Sequence, residues 1–422
     1  MGKTVIVGAG VIGLCTAYEL RKRGEEVVVL DKGQPGMGSS FGNAGWVTPG
    51  LSEPLPAPGL VWTSLRWMLD PASPLYIKPR LDPLFMGWMW RFYRNCSPAQ
   101  FEAGVNALVS LAQPTWRLFD QLAAEGLRFE MHEAGLLFLG LDERKVKQLN
   151  ESLQAMEEHF GVGPQLVERR ELRERDPAIN ADVAGGVLLP RERHIRPDQL
   201  CDALVERIEE LGGEVRAGVA VTGLRRHGTD IVGVETEDGE ELADRVLLAA
   251  GAWSGKLAAE WGFRLPLEAG KGYSVTIQNP DLNVQQPIDL IEARAAITPF
   301  DGAFRAAGTM ELSGLNTNLV RTRVNAIRKG IERYLVRWPE GERPRAWVGM
   351  RPLTSDGLPV IGKLPRTDNV YVATGHQMLG VTLAPSTAVV LSELMLDGES
   401  SIDLTPFEPG RFAGRQRSRV AA

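Results

Sequence analysis

Two stretches near the start of the chain carry chemistry by residue type and spacing. Gly8, Gly10 and Gly13 stand as G-A-G-V-I-G between a β-branched run and an amphipathic one, and Asp31 follows Gly13 by eighteen positions. In that context Gly8 permits a tight turn, Gly10 lets a pyrophosphate approach the backbone, and Gly13 lets helix and strand pack closely. Val11 and Ile12 complete the fingerprint at a helix N-terminus, whose free N–H groups favour phosphate. Asp31, with Lys32 beside it, can accept hydrogen bonds from ribose hydroxyls, so the pattern points to a bound dinucleotide. The second stretch is Ser39–Gly50, SSFGNAGWVTPG, uncharged and glycine-rich. A nicotinamide-binding unit would return here to another βα unit. The hydroxyls, amides and open backbone of this loop instead suit a longer flavin dinucleotide, with Asn43, Ala44 and Gly45 approaching the ring.

The elements that must position these residues read as a βαβ start. Thr4–Val7 is a β-branched run suited to a strand buried on both faces. Leu14, Ala17 and Leu20 recur at helical spacing, Gly24 can end the helix, and Glu26–Leu30 forms the second strand with Asp31 at its tip. Pro54–Cys96 differs in character, with Trp62, Trp67, Trp88 and Trp90 among many prolines, which limit it to short helices. Ser97–Gln154 reads mostly as amphipathic helix with a strand at Gly135–Leu141. Strands are expected at Gly186–Leu189, Glu214–Val221, Ile231–Glu237 and Arg245–Ala249, with a helix from Pro197. Antiparallel strands fill Lys271–Gly308, and a helix is expected around Asn325–Tyr334. Dinucleotide-type patterns return near 195–260 and 345–395. The expected fold is therefore α/β (α+β): a Rossmann-type domain discontinuous in sequence (1–50, 195–262, 341–422), and a substrate domain (51–194, 263–340, including the insert 54–96) on a large mixed or antiparallel sheet.

Composition excludes several classes. A net charge of −6 offers no basic surface for nucleic acid. Cys15, Cys96 and Cys201 are odd in number and isolated, which excludes a disulfide framework, and no spacing fits a metal site. Thr4–Leu20 contains the glycine fingerprint and reads as structure, not as a signal peptide. No window is long and apolar enough to span a bilayer, so a cytoplasmic chain is expected.

GAGVIG, SSFGNAGWVTPG, LLAAGAWS, KGYSVTI, GMRPLTSDGLPVIG and ATGHQMLGVTLAP occur in this order over nearly the whole chain. Together they resemble the FAD-dependent D-amino-acid oxidase/glycine oxidase superfamily, and most of all its D-amino-acid dehydrogenase (small subunit) branch. The resemblance implies that Gly8, Gly10, Gly13 and Asp31 bind the ADP half of FAD, with Ser39, Ser40, Asn43 and Gly45 on the path to the flavin. It places Val219, on the strand EVRAGVAV, at the adenine, and Ala250 and Gly251 beside the cofactor. Gly375, His376, Leu379, Gly380 and Thr382 fall on the pyrimidine side. Some relatives attach FAD through a cysteine near the arginine motif or through an N-terminal histidine. Here Met350 precedes Arg351 and no histidine precedes His132, which implies noncovalent FAD.

The same resemblance makes Arg351 the anchor of a substrate carboxylate, which a guanidinium grips bidentately. Tyr273 is expected beside it, His376 is expected to contact the cofactor, and His194 reads as a surface-loop residue. The implied reaction is oxidative deamination of a D-amino acid, D-proline and hydroxy-D-proline included, by hydride transfer from Cα to flavin. Electrons would pass to a quinone-type acceptor. A glycine- or sarcosine-type oxidase using oxygen, or an FAD-binding subunit of a hetero-oligomeric dehydrogenase, are the alternatives. Phe85–Trp90 reads as substrate-domain core or subunit interface ahead of a peripheral contact with the inner face of the plasma membrane, and the oligomeric state stays open.

Overall fold

The computed structural model describes residues 2–60, 73–228 and 230–412. Trp62 and Trp67 of the proline-rich insert lie outside the described residues. The first sheet has six strands in the order Glu214–Ala217, Glu26–Asp31, Lys3–Val7, Arg245–Leu248, Val370–Thr374, Val360–Lys363. All neighbours pair parallel except the last two strands. Its centre is buried on both faces, as the unbroken β-branched runs require. Ile6 and Val29 face a core formed with helices Val11–Lys22, Pro197–Glu210 and Gly380–Leu396. Val5, Val7 and Val28 face the other way, against a three-stranded antiparallel sheet, Val221–His227, Asp230–Thr236 and Gly239–Leu242.

The second sheet is larger and mostly antiparallel. It runs Glu342–Thr354, Leu267–Gln278, Ala303–Leu312, Ala295–Phe300, Ile288–Leu290, Leu136–Gly140, Gly185–Leu189, Gln165–Glu168, with Leu75–Ile77 added beside Ala303–Leu312. One face packs a core that includes Tyr273, Ile277, Ile288, Leu290, Ile297 and Phe304. A further small sheet pairs Arg193–Ile195 with Trp46–Val47 and with Met131–His132, tying the loop that follows Ser39 to the rest of the chain. The strand Glu342–Thr354 lies in the large sheet, although it begins just past the boundary at 341 that the sequence patterns set.

Several expectations are corrected by packing. Glu214–Val221 is not one strand: Gly218, at φ +76°, ends the parallel strand at Ala217, and Val221 starts the other sheet. Val219 therefore lies in the connection. The helix expected around Asn325–Tyr334 is Arg321–Ile331, and Tyr334 leaves it to hydrogen-bond Glu292 at 2.5 Å. The insert holds a 13-residue helix, Pro83–Asn95, because its proline sits in the first turn, behind an Asp82 cap accepting from Leu84 and Phe85 amides. His194 is not on the surface: it is buried in the strand Arg193–Ile195, its ring stacked 4.9 Å from that of His132.

Candidate functional site

The glycine fingerprint sits where the first strand turns into the first helix. Gly8 has φ +113°, and a Cβ there would stand 2.5 Å from the Ala249 carbonyl oxygen. A Cβ on Gly13 would stand 2.0 Å from the Gly8 oxygen, so only glycine permits this crossing of helix and strand. At Gly10 the nearest atom to an added Cβ would be Ser40 Oγ at 3.7 Å, and at Gly251, with φ +53°, nothing stands within 4 Å. The backbone is thus open at both points to a ligand, and the residues present fit the FAD the motif calls for.

That opening belongs to a cavity of about 860 Å³ lined by Gly8, Gly10, Val11, Ile12, Asp31, Lys32, Ser39, Ser40 and Asn43 along one side. Val219, Ala250, Gly251, His376 and Gly380 line the rest of its length. Asp31 is fixed by the loop it serves, accepting from the Ala9 amide at Oδ2 and the Gly33 amide at Oδ1, both 2.8 Å. Each oxygen keeps a lone pair for a ribose hydroxyl. The Asp31 carbonyl takes the Val219 amide at 2.8 Å, bringing Val219 to the Asp31 end of this cavity despite its place outside a strand. Lys32 lies 3.9 Å over the Trp253 ring, and burial lowers its pKa. Ser40 Oγ accepts from the Val11 amide at 3.1 Å, which draws the serine loop against the helix N-terminus.

The rest of that loop is held by two buried side chains of the large sheet. Arg305 donates to the Asn43 carbonyl at 2.7 Å and to Thr276 Oγ1 at 3.0 Å. Thr298 Oγ1 donates to the Ala44 carbonyl at 2.7 Å and accepts from Trp46 Nε1 at 2.9 Å. Burial lowers the Arg305 pKa to about 10, which leaves it charged at neutral pH. Gly45, at φ +78°, has its Cβ position 2.1 Å from the Ile195 oxygen and serves the small sheet, not a cavity. Gly375 packs in the same way against Thr354 and Val360. Thr382, expected beside the flavin, spends its hydroxyl on the loop, donating to the Trp46 carbonyl and accepting from the Thr48 amide, each at 3.1 Å.

A second cavity, about 640 Å³, adjoins the first. Ser39, Asn43 and Gln377 line both. Gln377 was not singled out in the sequence; its left-handed φ of 52° follows from a turn that only the fold reveals. Ala44 and Leu379 line this second cavity, with Trp46, Trp88 and Trp347 among its apolar walls.

Arg351 reaches into it from the strand Glu342–Thr354. Its Nη1 donates to the Thr309 carbonyl at 3.1 Å, and among the described residues no carboxylate pairs with it. Burial alone lowers its pKa, to about 10, so it remains a cation. A desolvated guanidinium without an anion is a site for one. Tyr273 borders the cavity, but strand alternation turns its side chain to the opposite face. Its hydroxyl donates to Glu311 Oε2 at 2.6 Å, and Glu311 pairs with Lys271 at 3.1 Å. The structure does not bring that hydroxyl to Arg351. His376 is buried with Nε2 3.0 Å from Thr387 Oγ1, and burial lowers its pKa to about 3, so it is a neutral ring beside the cofactor cavity.

Three comparisons bear on this arrangement. The model of the DAO family, described as FAD dependent oxidoreductase, matches residues 3–394. A protein named D-amino acid dehydrogenase from Cereibacter sphaeroides is 34% identical over 409 residues, covering 94% of this chain and 92% of that protein. Another of the same name from Chromohalobacter salexigens is 32% identical over 419 residues, covering 97% and 100%. Among solved structures, glycine oxidase from Geobacillus kaustophilus superposes with a TM-score of 0.76 at 23% identity, over 97% of this chain and 99% of that one. L-proline dehydrogenase from P. horikoshii superposes at 0.72 and 22% identity, covering 97% of each chain. These two likenesses establish the fold.

Proposed function

We propose that this chain, which belongs to the DAO family of FAD-dependent oxidoreductases, oxidatively deaminates D-amino acids. The observation that carries the reading is Arg351: a buried cation without a carboxylate partner among the described residues, in a cavity that joins the dinucleotide cavity at Ser39, Asn43 and Gln377. The two relatives above that are named D-amino acid dehydrogenase support the substrate class. The lining of the first cavity, Gly10, Asp31, Ser40 and Gly251 included, would hold FAD noncovalently, and when bound it would supply a two-electron acceptor for the Cα hydride; the imine so left is hydrolysed by water to oxo acid and ammonia.

The chain's own residues orient and desolvate. Arg351 grips the α-carboxylate and fixes the direction of Cα. The walls of Trp46, Trp88 and Trp347 keep water out and favour the neutral amine, whose nitrogen lone pair forms the C=N bond. His376 stays neutral and contributes position, not a proton. The test is anaerobic bleaching of the flavin absorbance by D- and L-amino acids, with glycine and sarcosine for comparison. D-amino acids are expected to bleach the wild type rapidly, and Arg351→Met is expected to slow bleaching at low substrate by about two orders of magnitude. Bleaching by glycine or sarcosine alone overturns the reading.

A quinone-type acceptor met at a membrane surface belongs to the same proposal. No helix of the described residues is long and apolar enough to cross a membrane. The helix Pro83–Asn95, however, buries Phe85 and Trp88 while exposing Leu84, Met86, Trp90 and Tyr93, next to Arg91 and Arg94. An apolar patch flanked by arginines suits the interface of an anionic bilayer.

A further inference from the structure

The cavity that holds Arg351 has one acid in its wall among the described residues, and it stands away from the arginine. Asp289 lies between Ile288 and Leu290, both fully buried in the core behind the large sheet. Alternation therefore turns Asp289 to the opposite face, where it lines the cavity with Arg351. Cross-strand pairing carries that face from Asp289 to Ala296 and from Ala296 to Ala307. Thr309, whose carbonyl holds the Arg351 guanidinium, is two residues further along the strand of Ala307. Two inter-strand spacings and one pleat repeat separate Thr309 from Asp289, on the order of 12 Å between backbones. The methyl groups of Ala296 and Ala307 make a low floor between them.

Among the described residues nothing hydrogen-bonds the Asp289 carboxylate and no cation lies within ion-pair distance of it. Burial raises its pKa to about 6, opposed by the charge of Arg294, which lines the same cavity from the turn beyond the strand but is exposed and beyond ion-pair distance. The group is thus mostly ionised at neutral pH, desolvated and without an ion-pair or hydrogen-bond partner among the described residues, an arrangement that costs free energy until a cation arrives.

We propose that Asp289 selects substrates whose side chain ends in a cation: with the α-carboxylate on Arg351, an ammonium or guanidinium on a side chain the length of lysine's or arginine's meets the Asp289 carboxylate. The inference rests on the deamination reading and adds the side-chain class. An acidic side chain of the same length would be repelled by Asp289, and a neutral one would leave it unpaired.

The test measures kcat/KM of the holoenzyme for D-lysine and D-arginine against D-norleucine, which matches lysine's carbon chain without its charge. The wild type is expected to favour D-lysine by at least about tenfold, the worth of one charge-assisted hydrogen bond. Asp289→Asn is expected to abolish that advantage by lowering kcat/KM for D-lysine while kcat/KM for D-norleucine does not fall. A wild type without the preference, or an Asp289→Asn variant that lowers both substrates alike, overturns this inference and leaves the deamination reading standing. Failure of every D-amino acid, D-norleucine included, to bleach the flavin overturns both. Should Asp289→Asn fail to retain FAD, the wild-type comparison decides alone.

Discussion

The guanidinium of Arg351 lies directly over Gly272: a Cβ added at Gly272 would stand 2.5 Å from Cζ and from Nη1. The neighbour in the way is the far end of a side chain, so the fold can yield where the site cannot. Gly272→Ala is therefore expected to displace the guanidinium, raising KM for amino-acid substrates about tenfold while leaving the melting temperature and FAD content close to wild type. Gly13→Ala should do the reverse. Its Cβ would meet backbone, the Gly8 oxygen at 2.0 Å, and the expected result is loss of FAD and of folded protein. Steady-state kinetics and the flavin absorbance of the purified variants check both.

Arg305 holds the loop at Asn43 from inside the large sheet, 2% exposed. Arg305→Met keeps the bulk and removes the donors, leaving the Asn43 carbonyl and the Thr276 hydroxyl short of a partner. A loss of about 2–4 kcal/mol is expected. Urea unfolding with FAD bound measures it, and FAD should dissociate from the variant at lower urea than the protein unfolds.

Glu192 is buried, accepts from the Gly50 amide at 2.9 Å, and has its pKa raised by burial to about 8. Its folded-state pKa lies above its ordinary value of 4.5. The native state therefore holds a proton that the unfolded chain has lost, and stability falls as pH rises between these two values, by about 1.4 kcal/mol per unit at most. Glu192→Gln keeps an acceptor for Gly50 and cannot ionise. Its urea midpoint is expected to exceed that of the wild type at pH 8 and to approach it near pH 5.

His376 has its pKa lowered to about 3 by burial, so no imidazolium forms across the working range. Stopped-flow flavin reduction from pH 6 to 10 should follow the amine of the substrate. His376→Asn is expected to change the rate without moving the midpoint of that profile, and a midpoint that moves would show that the ring titrates during the reaction.

Trp90 is 61% exposed and stacks on Tyr93, with ring centroids 5.8 Å apart. If the helix Pro83–Asn95 meets a bilayer, the protein should sediment with anionic phospholipid vesicles, and Trp90→Ser should weaken that binding several-fold without affecting flavin bleaching by a D-amino acid. A wild type that stays in the supernatant removes the membrane contact from the proposal.

The legible part of this protein is the part whose chemistry is local. Gly8, Gly10, Gly13 and Asp31 fall on a strand, a turn, a helix and a second strand that follow one another in the chain, so their placement could be read from local pattern. Strand and helix patterns likewise marked a Rossmann-type unit and a large mixed or antiparallel sheet, because buried runs and alternation are written residue by residue. What tertiary structure decided are the walls of the substrate cavity. Arg351 was legible as an arginine in a motif, but its place over Gly272 and across from Asp289 depends on the register of five strands between residues 267 and 354. Register also turned Tyr273 away from that cavity, since one position along a strand reverses the face a side chain meets. His194 departed from expectation for the same kind of reason, being covered by His132 from a distant strand, and on the helix Pro83–Asn95 the exposed Trp90 is rotated about 200° from the buried Trp88. Burial of this sort is a property of what packs alongside, and no residue carries that information by itself.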